Sequence, residues 1–222
     1  MQKIMFNEQY GLETAVLQLR KSMTRRVIRV PDIWHGIEVH AVDPAVDKRS
    51  LLLYDAGGNL IRDAKTHLFG QIMPKYKVGE IVAVAQAYED LDGVLRSRNW
   101  KRTDSLYDAY YHARQFGYVH DALPGWSNKM YVRADLMPHQ ILITGCHCEL
   151  LQDISDEDCL REGISFVNGH FYVGYRETTG QYIWLDGNTP REAFATLINK
   201  TSGKHTWNDN PYTFVYKFKL VR

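Results

Sequence analysis

The sequence predicts a mixed α+β fold, and three observations carry that prediction. Short runs of β-branched and aromatic residues in period two read as strands, the clearest being YTFVYKFKLV at residues 212–221. Residues 12–19 and 190–198 instead carry apolar side chains at helical spacing. Strands and helices do not alternate in the regular rhythm of a parallel sheet, which favours a mixed barrel or an α+β arrangement.

Composition sets the outer bounds. A chain of 222 residues can bury a sizeable core without disulfide staples. Hydrophobic residues at 45% and charged residues at 24% are ordinary for a folded globular chain, which sets aside disorder, collagen-like repetition and coiled coil. The 27 basic and 26 acidic residues leave a net charge of +1, so no global field draws the protein to nucleic acid or anionic lipid. Any anion binding must be local. No apolar run approaches the roughly 20 residues of a membrane span. Three cysteines are an odd number, and the start MQKIMF lacks the apolar run of a signal peptide, which together predict a cytoplasmic protein. No repeat or Pro/Gly/Ser linker divides the chain, which reads as one domain over residues 1–222.

Element by element, Leu12, Ala15, Val16 and Leu19 form the apolar stripe of a first helix. Asn7 is its expected cap, and it should end near Arg20 and Lys21, whose charges suit the negative pole of a helix. Residues 25–30 read as a strand that Pro31 interrupts. GIEVHAV and LLLYDAGGNLIR predict a hairpin, broken at Gly57-Gly58. EIVAVAQAY at residues 80–88 is too short for a helix and reads as a strand entered through Val78-Gly79. Residues 105–116 look helical through Leu106, Tyr110 and Ala113, with Pro124-Gly125 closing the region.

After a further strand, ILITGCHCELL, Ser155 is placed to cap a short helix in a capping box with Asp158. That helix should stop at Glu162, because Gly163 supplies the left-handed residue that commonly follows a helix. A polar, aromatic hairpin is expected over residues 165–184, with Gly180 and Gly187 as turns. Pro190 then opens a helix with Ala193, Phe194, Leu197 and Ile198 inward.

Two places carry candidate chemistry. RKSMTRR at residues 20–26 sets four cations and two hydroxyls in seven positions. Like charges around Lys21 lower the pKa of its amine, and a hydroxyl three residues on, Thr24, is of the type that a basic amine activates as a nucleophile. The same residues also read as a solvated cation cluster at a helix end. Glu162 breaks a local rule, since a carboxylate at a helix C-terminus faces the negative pole, a mismatch of about 0.3–1 kcal/mol when exposed. Cys146-His147-Cys148, with His139 and His170 elsewhere, lacks the spacing of common zinc sites and reads as core cysteines beside a surface histidine. Glycine-rich phosphate loops and a G-x-S-x-G elbow are absent, so neither a metal nor a cofactor is expected.

These residues resemble an ASCH domain, a member of the PUA-like superfold. The family pattern is G-x-K-x-x-E-x-R. Lys21 and Arg26 match it, Leu19 stands in place of glycine and Thr24 in place of glutamate. Lysine, then threonine three positions on, then arginine is also similar to a small bacterial subgroup of acetylcytidine amidohydrolases. By segment order, Glu162 in LQDISDEDCLREG matches that subgroup's third catalytic residue. The start FNEQYGLETAVLQLRKSMTRR, the middle LQDISDEDCLREGI and the end AFATLINKTSGKHTWNDNPYTFVYKF are similar to larger ASCH proteins of phages and prophages. The resemblance implies an α+β, PUA-like mixed β-barrel with short helices around it and insertions at about residues 32–79 and 92–125.

Two functions follow from the resemblance as expectations. The first is binding of RNA or a nucleotide in a cationic cleft, with Lys21, Arg25 and Arg26 on phosphate and Trp126, Tyr131, Trp184 or Trp207 stacking on bases. The second is hydrolysis of an acylated nucleoside such as acetylcytidine, with Lys21 as base, Thr24 as nucleophile and Glu162 as acid/base partner. The expected partners are accordingly RNA, a nucleotide or a modified nucleoside, with no membrane. The ordinary alternative for each aromatic is a place in the core, and for the block WNDNP before the last strand it is architecture.

Overall fold

A computed structural model describes residues 1–91, 125, 127–176 and 181–221. The helix expected over residues 105–116 lies outside the described residues, as do Pro124, Trp126 and Gly180. The strands are β1 (Lys3–Ile4), β2 (Met23–Val27), β3 (Ile33–Trp34), β4 (Ile37–Glu38), β5 (Ala41–Pro44), β6 (Leu51–Tyr54), β7 (Gln71–Ile72), β8 (Ile81–Val84), β9 (Gln140–Leu150), β10 (Ser165–Val167), β11 (His170–Arg176), β12 (Gln181–Leu185) and β13 (Tyr212–Leu220). The helices are α1 (Leu12–Leu17), α2 (Asp156–Arg161), α3 (Pro190–Ser202) and α4 (Thr206–Asp209).

The architecture is mixed α+β. A mixed five-stranded sheet has the order β1-β8-β9-β13-β2, and the other sheets among the described residues are the three-stranded β5-β6-β7 and β10-β11-β12 and the hairpin β3-β4. Among the described residues no sheet closes into a barrel. No helix among them is long and apolar enough to cross a membrane.

The chain forms two compact units. The first takes residues 1–6, 81–141 and 221–222. In it β1 runs parallel to β8, and Ala83, Ala85, Leu91, Val132 and Met137 make a small core. The second takes residues 7–80 and 142–220. There β2 pairs antiparallel with β13, Met23 opposite Lys217 and Val27 opposite Thr213.

The larger core of the second unit joins Leu151, Ile154, Cys159 and Ile164 to Phe171, Val173 and Leu185, covered by Ala193, Phe194, Leu197 and Ile198 of α3. That helix starts as its sequence dictates: Thr189 caps it by accepting the Glu192 N–H at 3.2 Å, and Pro190 occupies the first turn, where a missing N–H costs nothing. The turn from β10 to β11 is Asn168-Gly169, both with positive φ (50° and 81°). That is the backbone of a tight hairpin turn; it is additional to the expected turns, of which Gly187 lies between β12 and α3 with φ 143° and Gly180 lies outside the described residues.

The first helix departs from expectation. Ala15 and Val16 are buried as the stripe requires, but α1 stops at Leu17. Leu19 adopts φ 62° and is 72% exposed. Its N–H bonds the Val16 carbonyl at 3.0 Å, and the Arg20 N–H bonds the Ala15 carbonyl at 2.8 Å, the two bonds of a Schellman C-cap. Leucine thus occupies the left-handed position that glycine usually fills. Asn7 does not cap α1. Gly11 holds that position, and the Asn7 side chain closes the preceding turn through the Tyr10 N–H at 3.4 Å. Arg20 and Lys21 lie beyond the helix, so neither caps its dipole.

A left-handed backbone costs a non-glycine residue about 1–2 kcal/mol, whereas glycine loosens the unfolded chain by about 0.4–1 kcal/mol. Leu19→Gly is therefore expected to stabilise the fold by about 0.5–1 kcal/mol. An unchanged or lowered urea midpoint would contradict this.

Candidate functional site

The site begins where the chain leaves the Leu19 turn. Lys21 forms an antiparallel β-bridge with Glu162, and the Ser22 N–H donates to the Arg161 carbonyl at 2.9 Å. These bonds fasten the end of α2 to the start of β2. Local sequence prepares both sides. Ser155 caps α2 by accepting the Asp158 N–H at 3.1 Å, and Gly163 ends it with φ 102°. A Cβ on Gly163 would stand 3.3 Å from the Cβ atoms of both Ala15 and Lys21, so a side chain there would be crowded as well as strained by the positive φ.

At the centre, the Lys21 Nζ donates to Glu162 Oε2 at 2.6 Å and to the Glu162 carbonyl oxygen at 2.7 Å. Arg25 Nη1 donates to the other carboxylate oxygen, Oε1, at 3.3 Å. All three residues are buried, at 3%, 4% and 6% exposure for Lys21, Glu162 and Arg25. The lysine therefore does serve a helix C-terminus, that of α2 instead of α1. Glu162, misplaced by the dipole rule alone, is compensated by two cations.

Arg25 reaches further. Its Nε and Nη2 donate to Glu149 Oε1 at 3.1 and 2.7 Å, and Nη2 also reaches Asp158 Oδ2 at 3.3 Å. Glu149 Oε2 lies 3.0 Å from His147 Nε2. The cluster thus runs from the buried Lys21 through Glu162, Arg25 and Glu149 to the partly exposed His147.

Burial pushes the Lys21 amine below its ordinary value of 10.5. Glu162 opposes that shift, and the charges of Arg26 and Arg25 add to it. Burial also lowers Arg25, but Glu162, Glu149 and Asp158 more than reverse this, so its guanidinium is held charged. Burial raises the Glu149 carboxyl, yet hydrogen bonds from His147 and Arg25 and their charges outweigh it and hold the group below 4.5.

Other expected site residues fall in different surroundings. Thr24 is buried opposite Tyr216, and strand alternation puts it with Arg26 on the face of β2 turned away from Met23 and Arg25. No hydrogen bond joins the Thr24 hydroxyl to Lys21 or Glu162. Burial lowers the Arg26 pKa, and Tyr76, Glu162 and Tyr216 lie close enough to oppose it. Trp207 is packed against Phe194 at 6.1 Å between ring centroids, with the Arg191 guanidinium 5.4 Å from its ring. Its backbone N–H donates to Asn199 Oδ1, and its backbone carbonyl accepts from Gln152 Nε2. These contacts are architectural, and none is to the ionic cluster. Tyr131 belongs to the first unit and is exposed. Trp184 stands on β12, 45% exposed.

Residue reasoning overlooked Glu149 and Asp158 and treated Arg25 as a cation for phosphate. One signal was available: Glu149 stands between Cys148 and Leu150 at the end of a strand, and a carboxylate there needs a partner. The thiols of Cys146 and Cys148 are pushed up to about 11 and that of Cys159 to about 12, each chiefly by burial. Among the described residues, no group of three or more His, Cys, Asp or Glu side chains is placed to hold a metal ion. No protein-family model matches this chain, and no curated protein or solved structure matches it either.

Two outcomes test the cluster. Glu162→Ala strands a buried cation and is expected to destabilise the fold by about 3–5 kcal/mol, whereas Lys21→Met combined with Glu162→Leu should recover most of that loss. Denaturant titration of the single and double variants would show whether the pair behaves as a unit. Acid supplies the second outcome. The folded-state value of Glu149 lies below its ordinary 4.5, so its contribution is present above 4.5 and is lost as pH falls through the lower folded value. Thermal stability should drop on acidification through that range, and Glu149→Gln should flatten the drop.

Proposed function

We propose that this chain is an ASCH-type protein with a PUA-like core and that it hydrolyses the amide of an acylated nucleoside such as acetylcytidine. The observation that carries the reading is the buried 2.6 Å contact between the Lys21 amine and the Glu162 carboxylate, groups 141 positions apart in the chain. Burial brings the neutral amine within easier reach, and the carboxylate holds it in one orientation. Thr24 lies on β2, the strand that follows directly.

In the reaction, the Thr24 hydroxyl attacks the acyl carbon and passes its proton to Lys21. The C–N bond breaks, the exocyclic nitrogen takes that proton, and the free nucleoside leaves an acyl-threonine ester. Water then attacks the ester, Lys21 again relays the proton, and the carboxylic acid departs. Glu162 stabilises the ammonium that forms in each half. The Thr24 hydroxyl and the Lys21 amine are not hydrogen-bonded in the free protein, so the reading requires substrate binding to bring them together.

Binding of RNA or a nucleotide by phosphate contact at Lys21, Arg25 and Arg26 is the weaker reading. It requires phosphate to displace the carboxylates that already bond Lys21 and Arg25, and opening a buried pair costs about 3–5 kcal/mol.

Wild-type protein is expected to release cytidine and acetate from acetylcytidine. Lys21→Ala, Thr24→Ala and Glu162→Gln should each lower the rate about a hundred- to ten-thousand-fold while circular dichroism confirms folding. Absence of wild-type turnover across a panel of acyl nucleosides would sink the reading.

A further inference from the structure

Arg20 leaves the Leu19 turn with its charge unbalanced. Its guanidinium donates to Gln18 Oε1, the Gly163 carbonyl, Ser165 Oγ and the Val173 carbonyl at 3.1–3.5 Å, all neutral acceptors. No carboxylate pairs with it among the described residues. Ser165 of β10, Tyr172 of β11 and Trp184 of β12 are register partners across their sheet. The guanidinium carbon lies 6.0 Å from the centre of the Tyr172 ring, and the Trp184 ring lies 6.1 Å from Tyr172. Cation, tyrosine and tryptophan therefore form one row across the strands.

The inward residues of β11 and β12, Phe171, Val173 and Leu185, lie in the core with α3. Alternation turns His170, Tyr172, Tyr182 and Trp184 the other way. Trp184 and Tyr182 are 45% and 42% exposed, although the solvent face of an antiparallel sheet is normally polar. These rings do not make a flat platform. Tyr172 stands at 71° to both Trp184 and Tyr182, and His170 at 70° to Trp184, with centroids 4.9–6.1 Å apart. Near-perpendicular rings leave narrow slots between upright walls. Among the described residues, the Trp184 indole N–H, the Tyr172 hydroxyl and the His170 ring form no hydrogen bond.

We propose that this face docks a proline-rich segment of another protein that carries an acidic residue beside its prolines. Pyrrolidine rings enter the slots at Trp184 and Tyr172, and the carboxylate meets Arg20. Several properties select this occupant. A polyproline II helix rises about 3.1 Å per residue, so two prolines separated by one residue stand about 6 Å apart, matching the step between the two rings. A full turn covers about 9 Å, which brings an acidic side chain just after the second proline within its own reach of Arg20. Such a helix makes no internal hydrogen bonds, so its carbonyls are open to the indole N–H and the tyrosine hydroxyl. It also holds its bound shape before docking, which keeps the ordering cost low on a shallow face. A flat aromatic ligand would call for a ring face parallel to its own, an amphipathic helix for an aliphatic groove, and a neutral sugar would leave the Arg20 charge unanswered. The surface makes no use of the Lys21–Glu162 contact, and it stands or falls independently of amide hydrolysis.

The test is fluorescence anisotropy of the full chain with labelled peptides of about ten residues. The first is a proline run followed by glutamates, the second has lysines in place of the glutamates, and the third has alanines in place of the prolines. Wild type should bind the first with saturation below about 1 mM, and the other two at least about three-fold more weakly. Trp184→Ala should weaken binding of the first peptide about ten-fold or more, and Trp184→Phe, which keeps a ring, should restore part of it. Arg20→Gln should abolish the preference for glutamate over lysine, and Arg20→Lys, which keeps the charge, should retain it. Circular dichroism checks that each variant is folded, and the exchange of glutamate for lysine in the peptide tests the Arg20 contact without altering the protein. No binding of the first peptide by wild type, equal affinity for the alanine peptide, or indifference to both Trp184→Ala and Arg20→Gln would overturn the proposal. Displacement of the bound peptide by oligo(U) would also overturn it, by assigning the face to nucleic acid.

Discussion

A carboxylate held between two buried cations organises the second unit of this protein. Isolated buried charges are costly, and a buried ion pair is tolerable only when the remaining donors and acceptors are also satisfied. Glu162 meets that condition: one oxygen takes Lys21, the other takes Arg25, and its own carbonyl takes a second bond from Lys21. Much of the local backbone answers to this demand. The helix α1 ends early so that the chain can turn at Leu19, and α2 ends on a glycine that admits the Lys21 side chain at contact distance. Charge is then handed outward through Arg25 and Glu149 to His147, so the polar groups become progressively more solvated toward the surface.

Packing holds the carboxylate's helix in place. Cys159 of α2 and Ile164 just beyond it are buried in the same core as α3, and Arg191 of α3 donates to the Ile154 carbonyl ahead of α2 at 2.9 Å. The WNDNP block ties in from the other side. Asn210, with φ 44°, accepts the Gln152 N–H at 2.8 Å, and the Pro211 carbonyl accepts the Leu151 N–H. The short α2 is thus positioned by tertiary contacts more than by its own helical stability, as expected for six residues.

Much of this was legible because its causes are local. The cap at Ser155, the stop at Gly163, the proline entry to α3 and its inward face Ala193, Phe194, Leu197 and Ile198 all follow from side chains within a few positions of each other. So do the long strands β9 and β13. Leu19 misled because helical periodicity continues through it while the backbone reverses, and a leucine gives no sign of a left-handed turn. The hairpin at Asn168-Gly169 did carry a local signal, an Asn-Gly dipeptide between strand-like runs. The contact between Lys21 and Glu162 was reachable only through the resemblance, since no periodicity links residues so far apart. The embrace of Arg25 by Glu149, Asp158 and Glu162 was not legible. Three carboxylates from a strand, a helix and a helix end converge on it, and only the folded backbone relates them.

The pairing of β2 with β13 sets the order in which this protein can be completed on the ribosome. Met23 finds its ladder partner in Lys217, and no nearer stretch of chain supplies it. Until β13 has been synthesised, the edge of β2 that it covers, on the strand carrying Thr24 and Arg25, has unpaired amides. Contacts of such long sequence separation form late and slowly in folding. The nascent chain therefore carries this edge as an unfinished seam until residues 212–220 have emerged, an interval in which a chaperone or an early ligand has the greatest leverage over yield.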